Sequence, residues 1–360
     1  MTCLRRLGRR ISRPVFTALT GTVVVIVATA CGGTGVHSTG AKPEVSGPLH
    51  GWTPPIPKPL SPLADYQAAV QVAATDQLKV WIEADLVKRW EEGPAWFRAA
   101  VSRVAVLANR PGVVGIKIAD ELGYNDGMNS VSKISKFLTA ATQALHSAAP
   151  HKLILVDMVV PQLGCLPGHQ AAGSQAAACA SREQAAYPQL ALPEVDQYLR
   201  LHAIDVLDLS TYLLSDSTYK AWGTTADAAQ TAAWQEAGRR GWPSLVRLQA
   251  RKALAHPGRY PGSPAQAAAD MHTYVGIPLA NGARAVDIWT WDQHYEGQVY
   301  RLMNPGMQPN ALWNQLERSR QDNDVLFTHF SPHSVQSGVQ GDLARIATVF
   351  TDIFLPAGTG

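Results

Sequence analysis

An α/β fold of the (β/α)8, TIM-barrel-like class is what the sequence predicts, on three observations. Apolar, β-branched runs alternate with stretches of helical periodicity, a pattern that calls for parallel strands joined by crossover helices. The run from Val113 onward is apolar and β-branched, as suits a strand covered on both faces. Acids or aromatics close most of the runs, at Asp85, Glu121, Asp157, Tyr212 and Trp291, and a closed barrel gathers such residues on one shared rim.

The chain is organised around Val113 to Gly127, an apolar run that ends in Asp120 and Glu121 and opens into a Gly/Asn/Asp/Gly loop. Before it, Leu63 to Thr75 reads as a helix with Leu63, Tyr66, Val70 and Ala73 on one face. Leu78 to Asp85 reads as a strand, and Pro94 to Ala108 as a helix with proline in its first turn. Ser130 to Ala148 carries Val131, Ile134, Phe137, Leu138 and Leu145 along one stripe, and Lys152 to Val159 is the next strand. Three helix-then-strand units follow: Glu194 to His202 with Asp205 to Tyr212, Asp227 to Arg240 with Pro243 to Ala250, and Pro264 to Ala280 with Ala283 to Trp291. Further helices are expected at Asn310 to Arg320 and at Asp342 to Phe354.

Residues 1–31 have the layout of an export signal and stand apart from the fold. Arg5, Arg6, Arg9, Arg10 and Arg13 precede an apolar stretch from Phe16 to Ala30. The residues up to Cys31 are similar to a bacterial lipobox, with Ala28 where leucine is usual. The expectation is an extracytoplasmic lipoprotein anchored to the cell membrane through Cys31; the alternative, an uncleaved anchor, also places the domain outside the cytoplasm. Residues 32–62, rich in Gly, Ser and Pro, read as a tether, and 63–360 as the barrel domain.

In an oxidising compartment Cys165 and Cys179 are expected to pair, closing a loop worth roughly 3 kcal/mol in the chain-entropy model. No Cys or His stands near them at ligand spacing, so neither a metal nor a cofactor is expected. The net charge of +3 comes mostly from the N-terminal arginines, and no basic stripe interleaved with aromatics follows, which argues against nucleic acid as a partner. The motifs of dinucleotide binding, P-loops, serine hydrolases and zinc proteases are missing.

Three segments carry a family resemblance. Gly115 to Glu121 resembles the fourth strand of retaining (β/α)8 glycoside hydrolases, where the acid/base Glu stands. Asp205 to Tyr212 resembles their sixth strand, which commonly ends in Tyr, and Gly282 to Trp291 their eighth, where a Trp floors the sugar site. The resemblance covers residues from Asp76 to Arg320 and implies a poly- or oligosaccharide substrate. In that register the first two strands lie within 36–66 or are missing. The seventh, Trp242 to Arg251, lacks the carboxylate that serves the family as nucleophile.

Glycoside cleavage needs a proton donor and a second carboxylate. Glu121 is the expected donor, with Asp120 on the opposite strand face binding a sugar hydroxyl or orienting a neighbour. The second carboxylate is one of Asp157, Asp208, Asp287 and Asp292. Asp157 and Asp292 stand at strand ends, whereas Asp208 and Asp287 lie earlier and read as interior or bottom-face residues. An inverting mechanism through Asp157 or Asp292, or a substrate-assisted one, is what this sequence permits. Tyr212, Trp289 and Trp291 are the candidate sugar contacts, with one of the two tryptophans assigned to the core. The missing seventh-strand Glu keeps a second function open, a non-catalytic carbohydrate-binding or envelope-interaction lipoprotein on a degenerate barrel.

Overall fold

The computed structural model describes residues 63–124, 126–166, 173–242, 246–249 and 254–357. The chain divides into Met1–Ile56 and Pro57–Gly360. The expected export signal, Cys31 and the tether lie outside the described residues.

Eight parallel strands close into a barrel: β1 Lys79–Glu83, β2 Val113–Lys117, β3 Leu153–Val159, β4 Val206–Ser210, β5 Val246–Gln249, β6 Ala285–Ile288, β7 Leu326–His329 and β8 Asp352–Pro356. β8 returns to β1 with Lys79 opposite Asp352 and Trp81 opposite Phe354. The barrel is therefore complete from β1 onward, and no strand before Lys79 is needed to close it.

This corrects the strand count. The two strands that the sequence pattern left unplaced are the last two, not the first two. β7 has four residues, too few to display a period. β8 falls inside the segment expected as a closing helix, which instead splits into a helix Gly338–Ile346 and a strand. Ile353, Phe354 and Leu355 extend an apolar pattern without distinguishing helix from strand. The numbering shifts by two: the three segments that resemble fourth, sixth and eighth strands are the second, fourth and sixth of this barrel.

Helix boundaries follow the caps closely. Ser130, Thr225, Ser263 and Asn310 each accept a hydrogen bond from the backbone N–H three residues on, and helices begin directly after them. The single helix expected over Pro264 to Ala280 is divided by a π-turn, His272–Gly276. Pro278 has no N–H to donate and crowds the carbonyl four residues back, so a widened turn just before it relieves both problems. A helix not foreseen, Gly173–Ala186, carries Cys179 and ends just before Tyr187 and Pro188. Beyond β6 a small antiparallel sheet joins His256–Pro257, Asp292–Tyr295 and Gln298–Arg301.

Alternation along the strands sorts the residues into two sets. Val80, Ile82, Ile116, Ile154, Val156, Leu207, Val286 and Ile353 belong to the large core shared with the helices. Trp81, Leu155, Ala285, Phe327 and Phe354 form a separate cluster, which fills the barrel interior. The rings of Trp81, Phe327 and Phe354 lie 5.5–6.4 Å apart, and the Trp81 indole donates to Asp352 at 2.9 Å. Gly115 makes room for that indole: a Cβ there would fall 2.2 Å from the Trp81 ring. One step further along each strand, toward the C-terminal ends, stand Glu83, Lys117, Asp157, Asp208, Asp287 and His329. The barrel thus has an apolar floor and a charged layer above it.

A candidate active site at the C-terminal mouth of the barrel

The charged layer is built around an ammonium. Lys117, at the end of β2, is fully buried. Its Nζ lies 3.0 Å from Glu83 Oε1, 3.0 Å from Asp120 Oδ1 and 3.6 Å from Asp157 Oδ2. His329, at the end of β7, spans two carboxylates, with Nδ1 3.1 Å from Glu83 Oε2 and Nε2 3.1 Å from Asp287 Oδ2. Asp157 and Asp208 are register partners on β3 and β4, both without exposed surface. Phe354 backs the layer, its ring centroid 5.3 Å from Lys117 Nζ and 5.0 Å from the His329 ring.

Crowding these groups together sets their protonation. Burial opposes the charge on Lys117, but Asp120, Glu83 and Asp157 hold its pKa well above the ordinary value. Burial likewise opposes a charged His329, and Asp287 and Glu83 overcome it, raising the imidazole to about 9. Burial would raise the Glu83 carboxyl, yet Lys117 and His329 bring it down to about 2. Asp208 goes the other way. Burial lifts its pKa well above the usual range, and the carboxylates of Asp287 and Asp157 add to the lift. Within one layer the carboxyls of Glu83 and Asp208 are pushed in opposite directions, an arrangement found where acid and base chemistry coexist.

Above this layer the loop after β2 carries Asp120 and Glu121. The Asp120 side chain is 41% exposed while one of its oxygens grips Lys117, so it links the buried layer to solvent. Glu121 is half-buried with φ +51°, a left-handed conformation that is uncommon for a residue with a side chain. The loop is pinned by Asp126, whose Oδ1 accepts from the N–H groups of Gly123 and Met128 at 3.1 and 2.8 Å. Tyr124, in the same loop, meets Tyr187 at 4.7 Å and Tyr212 at 5.8 Å between ring centroids. Burial and hydrogen bonds with Tyr212 and Tyr187 push the Tyr124 phenol far above its ordinary value.

The expected site residues separate into three sets. Asp120, Glu121 and Tyr212 lie at the mouth, Tyr212 also at positive φ (+54°) just past β4. Asp157 lies inside the barrel, two residues before the end of β3 and not facing a loop. Asp208 and Asp287 are interior as expected, but in the upper charged layer and not on the bottom face. Asp292 begins the outer hairpin, where its oxygens accept from Arg301 Nε and Ser334 Oγ, each at 2.7 Å. Trp289 packs against Tyr295 and Tyr300 and donates to Gln293. Trp291 is enclosed, donating to Asp342 at 2.7 Å against the Trp313 ring, so no face of it is open to a sugar. Cys165 and Cys179 are joined, with Cα atoms 5.6 Å apart. Sequence reasoning passed over Glu83, Lys117 and His329. A signal for Lys117 was present, a lone cation inside the apolar run from Val113 to Ala119. Among the described residues no group of three or more His, Cys, Asp and Glu is arranged to hold a metal ion.

No family model and no curated protein matches this sequence. Among solved structures it is similar to a 2,3-dimethylmalate lyase of the PEP mutase/isocitrate lyase superfamily, at 11% identity over 81% of this chain and 80% of that one, with a TM-score of 0.36. An aldolase, QR15, aligns at 9% identity over 78% and 90% of the two chains, with a TM-score of 0.38. Xylanase 10B from Thermotoga petrophila in complex with xylobiose aligns at 10% identity over 64% and 66%, with a TM-score of 0.39. Scores this low say nothing about chemistry, and the barrel is established by its own strand pairing.

Proposed function

We propose that this chain is an exported, membrane-anchored glycoside hydrolase whose reaction takes place at the C-terminal mouth of the barrel. The observation that carries the reading is a cluster of acids around Lys117, joined through Asp120 to a rim that also holds three neighbouring tyrosine rings. Acids in two protonation states are what glycoside cleavage requires, and aromatic rings with hydroxyl tips suit the alternating apolar and polar surfaces of a sugar. Glu121 is the proposed proton donor. Asp120, ion-paired with Lys117, is the proposed ionised partner that steadies the cationic transition state or activates water. Lys117 itself is ill suited to imine chemistry, because an ammonium gripped by carboxylates has no lone pair to offer a carbonyl.

Export and lipidation at Cys31 rest on the N-terminal sequence, and the Cys165–Cys179 bridge is consistent with an oxidising compartment. Replacing Cys31 with Ala should move the protein from the membrane fraction to the soluble one; unchanged membrane recovery would refute the anchor.

The catalytic test is reducing-end release from a panel of cell-wall and plant polysaccharides, with Glu121→Gln and Asp120→Asn beside the parent protein. Each variant should lose roughly 10²–10⁴-fold in turnover, the usual worth of a positioned acid or base. Equal rates in the parent and Glu121→Gln would remove Glu121 from the mechanism. A second reading is favoured by one observation: Lys117, Asp157, Asp208 and Asp287 have no exposed surface. A mouth that binds saccharide without cleaving it would leave those groups as scaffold, and binding without product release in the same assays would select it.

A further inference from the structure

Five polar groups from four strands and a loop form one continuous chain across the barrel. It starts on β6 at Asp287, whose Oδ2 meets His329 Nε2 of β7 at 3.1 Å. His329 Nδ1 meets Glu83 Oε2 of β1 at 3.1 Å, and Glu83 Oε1 meets Lys117 Nζ of β2 at 3.0 Å. Lys117 Nζ meets Asp120 Oδ1 at 3.0 Å. The path runs through buried groups, with none of Asp287 or Lys117 exposed, and reaches solvent at Asp120, whose side chain is 41% exposed. His329 is the link that turns the chain around the barrel wall. Its own backbone is fixed, since its carbonyl accepts from the Trp291 N–H and from Thr290 Oγ1, each at 3.2 Å. Its ring therefore presents two nitrogens in set directions, and Phe354 closes the side behind it.

We infer that His329 is a positioning residue for Asp120, fixing Glu83 and through it the Lys117 ammonium that holds the rim carboxylate. The inference rests on the reading above in which Asp120 serves the reaction. Without the imidazole, Glu83 loses one of two partners and Asp287 loses its contact with His329 Nε2. Lys117 is then shared among Glu83, Asp157 and Asp120 on new terms, and Asp120 moves with it. A displacement of about 1 Å at a reacting group is enough to cost on the order of 10²-fold in rate. The charged and titratable groups around the imidazole are Glu83 on β1, Lys117 on β2, Asp157 on β3, Asp208 on β4 and Asp287 on β6, with the Phe354 ring on β8.

The test is side-chain carboxyl carbon NMR of the full-length protein, with the Asp120 signal assigned by its loss in Asp120→Asn. In His329→Gln, which keeps a hydrogen-bonding group but not the charge, the Asp120 signal should shift. Where the parent protein cleaves a polysaccharide, kcat should fall about 10- to 100-fold with KM within about twofold, and the alkaline limb of the pH profile should change. An imidazole nitrogen titration of unmodified protein guards against a variant that does not fold: His329 should remain cationic through pH 8. An Asp120 signal unmoved in folded His329→Gln, or a His329 that is neutral at pH 7, overturns the inference. A shifted Asp120 signal in a protein that cleaves no polysaccharide leaves the positioning role standing and refutes the hydrolase reading instead.

Discussion

Lys117 shows how one buried charge organises its neighbours. An ammonium taken out of water costs several kcal/mol unless charges and hydrogen bonds replace its hydration, and here Glu83, Asp120 and Asp157 do so. Removing it takes away their shared counter-charge: Lys117→Met should lower stability by about 3–5 kcal/mol in urea denaturation at pH 7. A loss below about 1 kcal/mol would mean the acids find other partners. Asp208 and His329 both make stability fall as pH rises, in different windows. Asp208 holds a proton that the unfolded chain releases above about pH 4, so it draws stability down as pH rises past that point. Asp208→Asn should therefore flatten the decline between pH 4 and 8 and be the more stable protein at pH 8. His329 has a folded value of about 9, above its unfolded one, so its stabilisation is full below about pH 6.5 and is lost as pH rises through 9. His329→Gln should abolish that alkaline loss, and melts that still fall equally between pH 7 and 9 would contradict the assignment.

At the scale of elements, the fold depends on close approach between strand interiors and on one covalent tie. Gly115 lies against the Trp81 indole and the Leu153 carbonyl, and a methyl there would sit 2.2 Å from the ring. Gly115→Ala should cost about 1–3 kcal/mol or more by overpacking the barrel floor, read as a lower urea midpoint at unchanged slope. The disulfide joins the turn after β3 to the helix Gly173–Ala186, and that helix ends one residue before Tyr187 of the rim cluster. Reduction should lower stability by roughly 3 kcal/mol, and saccharide affinity should weaken with it if Tyr187 contacts the ligand. Full affinity after verified reduction would separate the tie from the site.

Across the whole molecule, the charge of the mouth differs from that of the chain. The sequence has a net charge of +3, whereas among the described residues of the mouth the acids Glu83, Asp120, Asp157 and Asp287 outnumber Lys117 and His329. A negative mouth repels anionic polymers, and salt weakens the repulsion beyond about 10 Å at 0.1 M. Neutral polysaccharides should be turned over faster than uronic-acid-bearing ones at low ionic strength, with the gap narrowing as salt is added. Equal rates at low salt would show that the buried charge is not felt at the rim.

The sequence by itself determined the alternation of strands and helices, because apolar period and end-capping residues are local properties. Ser130, Thr225, Ser263 and Asn310 mark helix starts with no help from the rest of the chain. It also marked Asp120, Glu121 and Tyr212 as residues just past strand ends, where the mouth was later found. Tertiary structure alone decided which strand was first. β7 and β8 are short and apolar, and only their pairing with β6 and β1 declares them strands. It alone decided the charged layer as well. Glu83, Lys117, Asp287 and His329 are each a single polar residue in or at the end of an apolar run, separated from one another by tens to hundreds of residues. Barrel closure brings them within hydrogen-bonding distance, and that contact shifts the pKa values of Glu83, Lys117 and His329.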